Sequence, residues 1–432
     1  MDWKKLCKLF LICALLAAAA AAAALPHEAL ADEKVLLKEV VLARHGVRSP
    51  LEKPAVLAEW TAKKWPAWPV KPGELTARGA ALVFQQWGAE RARLLAQGVQ
   101  PAEIFICADA TQRTVQTAEA MLAALAGSQD TAPVVYDRIF VTPVFHPVRA
   151  GLASFDKTAA YNDIVRNAGG SIAALTQELS GPLSQLTNVC GPITAETAQK
   201  YNLPQGANLL AIPSEVVFAE NGAGVGIRGG LGIASSAAEI FLLEYCQWPD
   251  QNAGWGAVNG EVLENLMPVH SNIFDVVNRA NGVALPKASQ LTALLASALL
   301  GRDLGLAKVA PAIKAPAQAA KVSIFVGHDT NIAGVAALLG LNWRLPGFAQ
   351  NQIPPGSCLV LQLWRDGAKN YVTAAFAGLS LAAFHNNIAL PNSVNRVSIP
   401  LAHMQTKQGR PAGQCSPDEL AAWVTNHTKP SR

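Results

Sequence analysis

The stretch "VLLKEVVLARHGVRSP", residues 35–50, decides how the rest of the chain is read. Its first nine residues are apolar except for Lys38 and Glu39, the pattern of a strand buried on both faces. The strand ends at Arg44-His45, so one imidazole stands between two permanent cations, Arg44 and Arg48, at a carboxyl end. Gly46 allows close backbone approach and Pro50 stiffens the exit. Five fixed positions, R-H-G-x-R-x-P, arise by chance in a chain this long at a frequency on the order of 10⁻⁴, so the motif carries chemistry.

Two other segments repeat the strand-then-helix plan. "EIFICA" (103–108) is a short apolar run, and "DATQRTVQTAEAMLAALAG" (109–127) follows it as a helix with Arg113 in its first turn. "KVSIFVG" (321–327) ends at His328-Asp329, and Asp329 or Thr330 can cap the helix "NIAGVAALLG". Between the first strand and the second, "LTARGAALVFQQWGAERARLLAQG" (75–98) reads as a long helix with Thr76 as cap and Gly98 as stop. "CLVLQLW" and "YVTAAFA", joined through Arg365-Asp366-Gly367, read as a hairpin. Residues 151–306 are Ala-, Leu- and Gln-rich helical segments and form a mainly helical insertion. The expected architecture is therefore α/β, with residues 32–150 and 307–432 in one domain and 151–306 inserted into it.

Three strands thus deliver Arg44-His45, Arg113 and His328-Asp329 to one sheet edge, where ligands of open α/β sheets bind. Helix N-termini there favour an anion, and guanidinium groups grip phosphate in a bidentate way that lysine does not. Cations beside His45 disfavour its imidazolium and keep a lone pair free for attack. Attack on a phosphate ester gives a phosphohistidine, while Asp329, as a protonated carboxyl, delivers a proton to the leaving alkoxide and then activates water. A protonated donor points to an acidic optimum.

The remaining features bound the answer. The chain has 432 residues, 51% hydrophobic and 15% charged, which excludes disorder. Its net charge of +4 excludes a general nucleic-acid surface. Lys4, Lys5 and Lys8, an apolar run over residues 9–25 and Ala29-Leu30-Ala31 form a signal peptide over residues 1–31, cleaved after Ala31, which places the mature protein in the periplasm or outside the cell. No later stretch is long enough to span a membrane, so no membrane partner is expected after cleavage. Five cysteines remain, an odd number whose connectivity spacing does not reveal; Cys107 and Cys358 read as buried thiols. Gly224, Gly226 and Gly229 match G-x-G-x-x-G without the strand such a nucleotide site needs. The tryptophans of "WPAWPV" read as packing around a proline turn. His146, His270, His385 and His403 lack metal-ligand spacing and read as hydrogen-bonded or surface residues.

These residues resemble the histidine acid phosphatases, in the secreted branch with bacterial periplasmic phytases and glucose-1-phosphatases. Besides "RHGVRSP" and "GHDTN", the likeness includes "WPAWPVKPGELTARG", "QRTVQTAEA", "EIFLLEY", "GWG" and "NWRLPG", in family order. The resemblance implies a phosphoglycerate-mutase-like α/β domain, with a mixed sheet and helices on both faces, plus the helical insertion. It implies His45 as nucleophile, Asp329 as proton donor, and Arg44, Arg48, Arg113, His328 and Thr330 around the substrate, a small phosphate monoester. No metal and no cofactor are expected. Gly46 and "HDTN" look phytase-like, whereas Glu52 stands near where such phytases carry Lys and repels a polyanion. Two other classes meet parts of the pattern: a metal phosphohydrolase using His328-Asp329 as ligands, which lacks further spaced ligands, and a phosphate binder without turnover, for which Asp329 is of no use.

Overall fold

The computed structural model describes residues 34–126, 134–135, 142–305, 307, 311–386, 393–406 and 409–429. The signal-peptide reading of residues 1–31 lies outside the described residues. An eight-stranded mixed sheet forms the centre. In chain order its strands are β1 (Val35–Arg44), β2 (Ile104–Ala108) and β3 (Val134–Val135), then, after a separate hairpin of β4 (Glu215–Phe218) and β5 (Val225–Arg228), β6 (Val322–Gly327), β7 (Cys358–Asp366), β8 (Lys369–Leu379), β9 (Val394–Ile399) and β10 (Gln414–Cys415). The spatial order is β10-β8-β7-β1-β6-β2-β3, with β9 also paired to β8. β1, β6, β2 and β3 run parallel, and the expected hairpin β7–β8 adds an antiparallel half.

Side chains of β1 alternate between opposite faces, with a bulge between Leu36 and Lys38 that shifts the alternation by one residue. Leu36, Val41 and Ala43 pack with Val83 and Trp87 of α1 (Ala77–Ala96) and Met121 and Leu125 of α2 (Gln112–Ala126). Val40 and Leu42 face the other core, which holds Phe241 of α3 (Gly230–Gln247), Leu266 of α4 (Gly260–Asn278), Leu291 of α5 (Asn281–Leu300) and Ile332 of α6 (Asp329–Leu338). Burial on both sides is why the strand is apolar almost throughout. Its two polar residues are matched: the Lys38 ammonium donates to the carbonyls of Gln318 and Ala320, and buried Glu39 pairs with Arg93 at 2.6 Å. Thr76 caps α1 by accepting from the Gly79 N–H, as its sequence predicts.

The described residues of 151–306 are mainly helical, joined by turns and loops and interrupted by the β4–β5 hairpin, which has no clear signature in the sequence. It leads into α3 through Gly229, which has a φ of +84°; a Cβ added there would lie 1.9 Å from the Pro213 carbonyl oxygen, so glycine alone fits. The glycines of the G-x-G-x-x-G match therefore serve a hairpin exit, with no parallel strand before them. Trp65 stacks on Phe241, and Trp68 packs on Trp248, as packing residues do. Contrary to the expectation that no later stretch is long enough to span a membrane, α5 has the length and hydropathy for it. It lies instead against β1, β7 and α6 with most of its residues buried, as a core helix. All five cysteines beyond residue 31 are buried and free of disulfides, and burial raises the thiol pKa of Cys107 to about 12.

Candidate active site

Strand register builds the site. Arg44 is level with Gly327 across β1 and β6, and Ala108 is level with Val326 across β2 and β6. The ladder continues one residue further on each side: the His45 N–H donates to the Gly327 carbonyl at 3.1 Å, and the Asp109 N–H to that of Val326 at 2.9 Å. His45, Asp109 and His328 are thus the first residues beyond three adjacent parallel strands. They open onto a pocket of about 270 Å³ that His45, Arg48, Arg113, His328, Asp329 and Thr330 help to line.

His45 is 2% exposed. Its Nδ1 lies 2.9 Å from the Gly46 carbonyl, which only accepts, so Nδ1 carries the proton and Nε2 the lone pair. Burial first, then the charges of Arg44, Arg113 and Arg48, hold the imidazole pKa well below its usual range. The sequence points to the cations alone; desolvation is the larger cause. The Gly46 N–H donates to Thr117 Oγ1 at 3.0 Å, which ties the loop after β1 to α2.

Arg44 is 1% exposed and sits between two carboxylates, Glu239 on α3 and Asp329 at the start of α6. Arg113 donates from Nη2 to His328 Nδ1 at 3.2 Å, which fixes the His328 proton on Nε2, where it bonds Asp109 Oδ2 at 2.8 Å. The Nε atoms of Arg44, Arg48 and Arg113 are buried without a hydrogen-bond partner. Of these residues Arg48 and Arg113 line the pocket, and unmatched buried guanidinium donors, each costing about 1–3 kcal/mol, suit a ligand with several acceptor oxygens. Burial and the neighbouring Arg48 lower the Arg113 pKa to about 10, the mark of cations crowded together.

Two expectations need correction. Neither Asp329 nor Thr330 caps α6: His328 holds that position and its N–H donates to Asn331 Oδ1 at 2.9 Å, while Asp329 Oδ1 accepts from the Thr330 N–H. The Asp329 carboxyl is also not protonated at rest. Arg44, at 2.9 Å, and Arg48 overcome its burial and hold its pKa at about 2. His146, scattered from the other histidines in sequence, shares the Asp109 carboxylate with His328, its Nε2 lying 3.0 Å from the same Oδ2. His385, stacked on Tyr245, and His403, bonded to the Leu339 carbonyl, match the plain reading.

Sequence reasoning misses Asp109, Glu239, Arg149 and Lys287. Asp109 has a signal, since it follows an apolar strand as His45 and His328 do. Lys287 also has one, as a lone cation in the apolar α5. It lines the pocket, and burial brings its pKa down to about 8 despite the attraction of Asp329. Glu239 stands first in the quoted stretch "EIFLLEY", where nothing points to Arg44, and Arg149 carries no local signature.

The sequence profile of the histidine phosphatase superfamily (branch 2) matches residues 35–185 and 276–376. The chain belongs to this superfamily. As a branch 2 histidine phosphatase it is a phosphoric monoester hydrolase, the activity for which three arginines around a histidine are suited. It is 32% identical to phytase AppA of Escherichia coli over 90% of this chain and 92% of that protein. Glucose-1-phosphatase of Providencia rettgeri is 28% identical over 77% of this chain and 78% of that one. Among solved structures, Hafnia alvei phytase in complex with myo-inositol hexakis sulphate superposes with a TM-score of 0.80 at 30% identity, over 92% of this chain and 98% of the other.

Proposed function

We propose that the protein is a metal-independent acid phosphomonoesterase with His45 as nucleophile, and that its preferred substrates are inositol polyphosphates. His45 Nε2 attacks phosphorus and the P–O ester bond breaks, with Arg44, Arg48, Arg113, His328 and Thr330 around the phosphoryl oxygens. The leaving oxygen takes its proton from Asp329. That proton arrives with the substrate: a phosphate monoester has a second pKa near 6, so near pH 5 it enters mostly as a monoanion. Its charge offsets the arginines that keep Asp329 ionised, and the shared proton moves to the carboxyl. In the second half-reaction the Asp329 carboxylate takes a proton from water, which attacks the phosphohistidine and releases phosphate and free His45. An acidic working range follows from the substrate's protonation rather than from an acid already present on Asp329.

The single observation that carries the substrate class is the charge of the pocket wall. Arg48, Arg113, Arg149 and Lys287 line it against one carboxylate, Asp329, more cationic groups than a single phosphate requires. A sugar-phosphate preference, as in the glucose-1-phosphatase relative, is favoured by one feature only: Glu52, whose negative charge reaches Arg48. In this reading residues 32–150 and 307–432 form the α/β domain and 151–306 the insertion, with α5 completing the cover of the sheet. The basic and apolar start of the chain supports export before cleavage after Ala31.

The test is steady-state hydrolysis near pH 5 of myo-inositol hexakisphosphate, glucose 1-phosphate and p-nitrophenyl phosphate by wild type and His45→Ala. Wild type is expected to show its highest kcat/KM on the inositol ester, and an acid quench to trap a labile phosphoenzyme that the variant lacks. Equal phosphate release by both proteins overturns the nucleophile. A tenfold preference for glucose 1-phosphate overturns the substrate class.

A further inference from the structure

Asp109 Oδ2, His146 Nε2 and His328 Nε2 all lie within 4.8 Å of one another. The two imidazole nitrogens approach the same carboxylate oxygen, at 3.0 Å and 2.8 Å. They come from three unrelated segments, the end of β2, the turn at 142–151 and the cap of α6. The turn is pinned in place by Asn331, whose Nδ2 donates to the Phe145 carbonyl at 2.8 Å. Asp109 is 1% exposed and His328 5%, whereas His146 is half-buried and lines the pocket beside His328. Two imidazoles and one carboxylate on one side, with a solvent-reached pocket on the other, is a three-ligand arrangement with an open position.

We propose that this triad is a binding site for a divalent transition-metal ion, zinc being the probe of choice, and that its occupation shuts down the phosphatase. The donor set selects the metal. Arg113 and Lys287 repel any cation here, so ions held by charge and oxygen alone, magnesium and calcium, are excluded. Ions that bond well to imidazole nitrogen, in the order Co²⁺, Ni²⁺, Cu²⁺ with Zn²⁺ beside them, offset the repulsion. Binding needs a lone pair on both Nε2 atoms. For His328, whose ring is neutral with its one proton on Nε2, this moves that proton to Nδ1. With the proton on Nδ1, that atom no longer accepts from Arg113, and two N–H donors 3.2 Å apart push the guanidinium away. Metal capture thereby disarms two groups of the phosphate clamp at once. The inhibitory half of this proposal rests on the phosphatase reading; the binding half does not.

Calorimetry with zinc chloride on wild type and His146→Gln, in a buffer that does not chelate, separates the two. Gln keeps an amide N–H for Asp109 but no imidazole. The expected result is one zinc site in wild type, at least tenfold weaker in the variant, with no heat from magnesium or calcium. Equal zinc affinity in both proteins overturns the site. Wild type loaded with one equivalent of Cu²⁺ provides a readout that does not depend on the variant folding: electron paramagnetic resonance is expected to show coupling to two imidazole nitrogens, and a spectrum without nitrogen coupling overturns it. Zinc inhibition of p-nitrophenyl phosphate hydrolysis is then expected to need at least tenfold more metal in His146→Gln. Tight binding that leaves wild-type turnover unchanged overturns the inhibitory half alone.

Discussion

Arg44 Nη2 lies 2.9 Å from Asp329 Oδ2, so the residue next to His45 holds that carboxyl as an anion. In the mechanism proposed above such a carboxylate donates only a proton that the substrate has brought, so the benefit of Asp329 depends on how badly the leaving group needs a proton.

Asp329→Asn tests this directly. With an alkyl phosphate such as an inositol ester, kcat is expected to fall by about 10²–10⁴-fold, the usual contribution of a general acid. With p-nitrophenyl phosphate, whose phenolate leaves unaided, the loss in phosphoenzyme formation is expected to be under about tenfold. Rapid-quench measurement of phosphoenzyme formation compares the two; equal losses on both esters count against Asp329 as donor.

Arg44 is neutralised from its other side by Glu239, and both are buried. Glu239→Ala leaves a buried guanidinium with one carboxylate instead of two, and breaking a buried pair costs about 3–5 kcal/mol. Urea unfolding is expected to show a loss of that order. The same variant is expected to lower kcat more than it raises KM, because Arg44 then pairs with Asp329 alone.

Gly46 has no room for a side chain. A Cβ there meets Val83 Cγ2 at 2.8 Å and the Gly79 carbonyl oxygen at 3.0 Å, both on α1. Gly46→Asn is expected to cost about 1–3 kcal/mol through overpacking and to reduce activity by displacing the neighbouring imidazole. A thermal midpoint unchanged from wild type contradicts this.

Glu244, which does not line the pocket, supplies a pH test of stability. Burial raises its pKa from 4.5 to about 7, and only the Gly254 N–H opposes this. Between those values the folded state holds a proton that the unfolded state has lost, so stability falls as pH rises from 4.5 to 7 and stays lowered above. Each pKa unit is worth about 1.4 kcal/mol, so Glu244→Gln is expected to gain about 1–3 kcal/mol at pH 8 and almost nothing at pH 4. Denaturant titrations at the two pH values decide it.

The sequence alone determined the strands and helices that carry His45, Arg113 and His328-Asp329, because burial on both faces writes a continuous apolar run and a helical segment follows each; the cap of α6 it did not determine, since His328 holds that position. It also determined that these residues share one sheet edge, since parallel strands present their carboxyl ends together. It did not reveal that Asp109 joins His328 to His146, that Glu239 braces Arg44, or that Lys287 reaches the pocket from α5. Those contacts join residues 37 to 219 positions apart, and no local pattern records them. Tertiary structure alone decided the charge on Asp329: a carboxyl's protonation follows the field of whatever cations surround it, and that field exists only once the chain has folded.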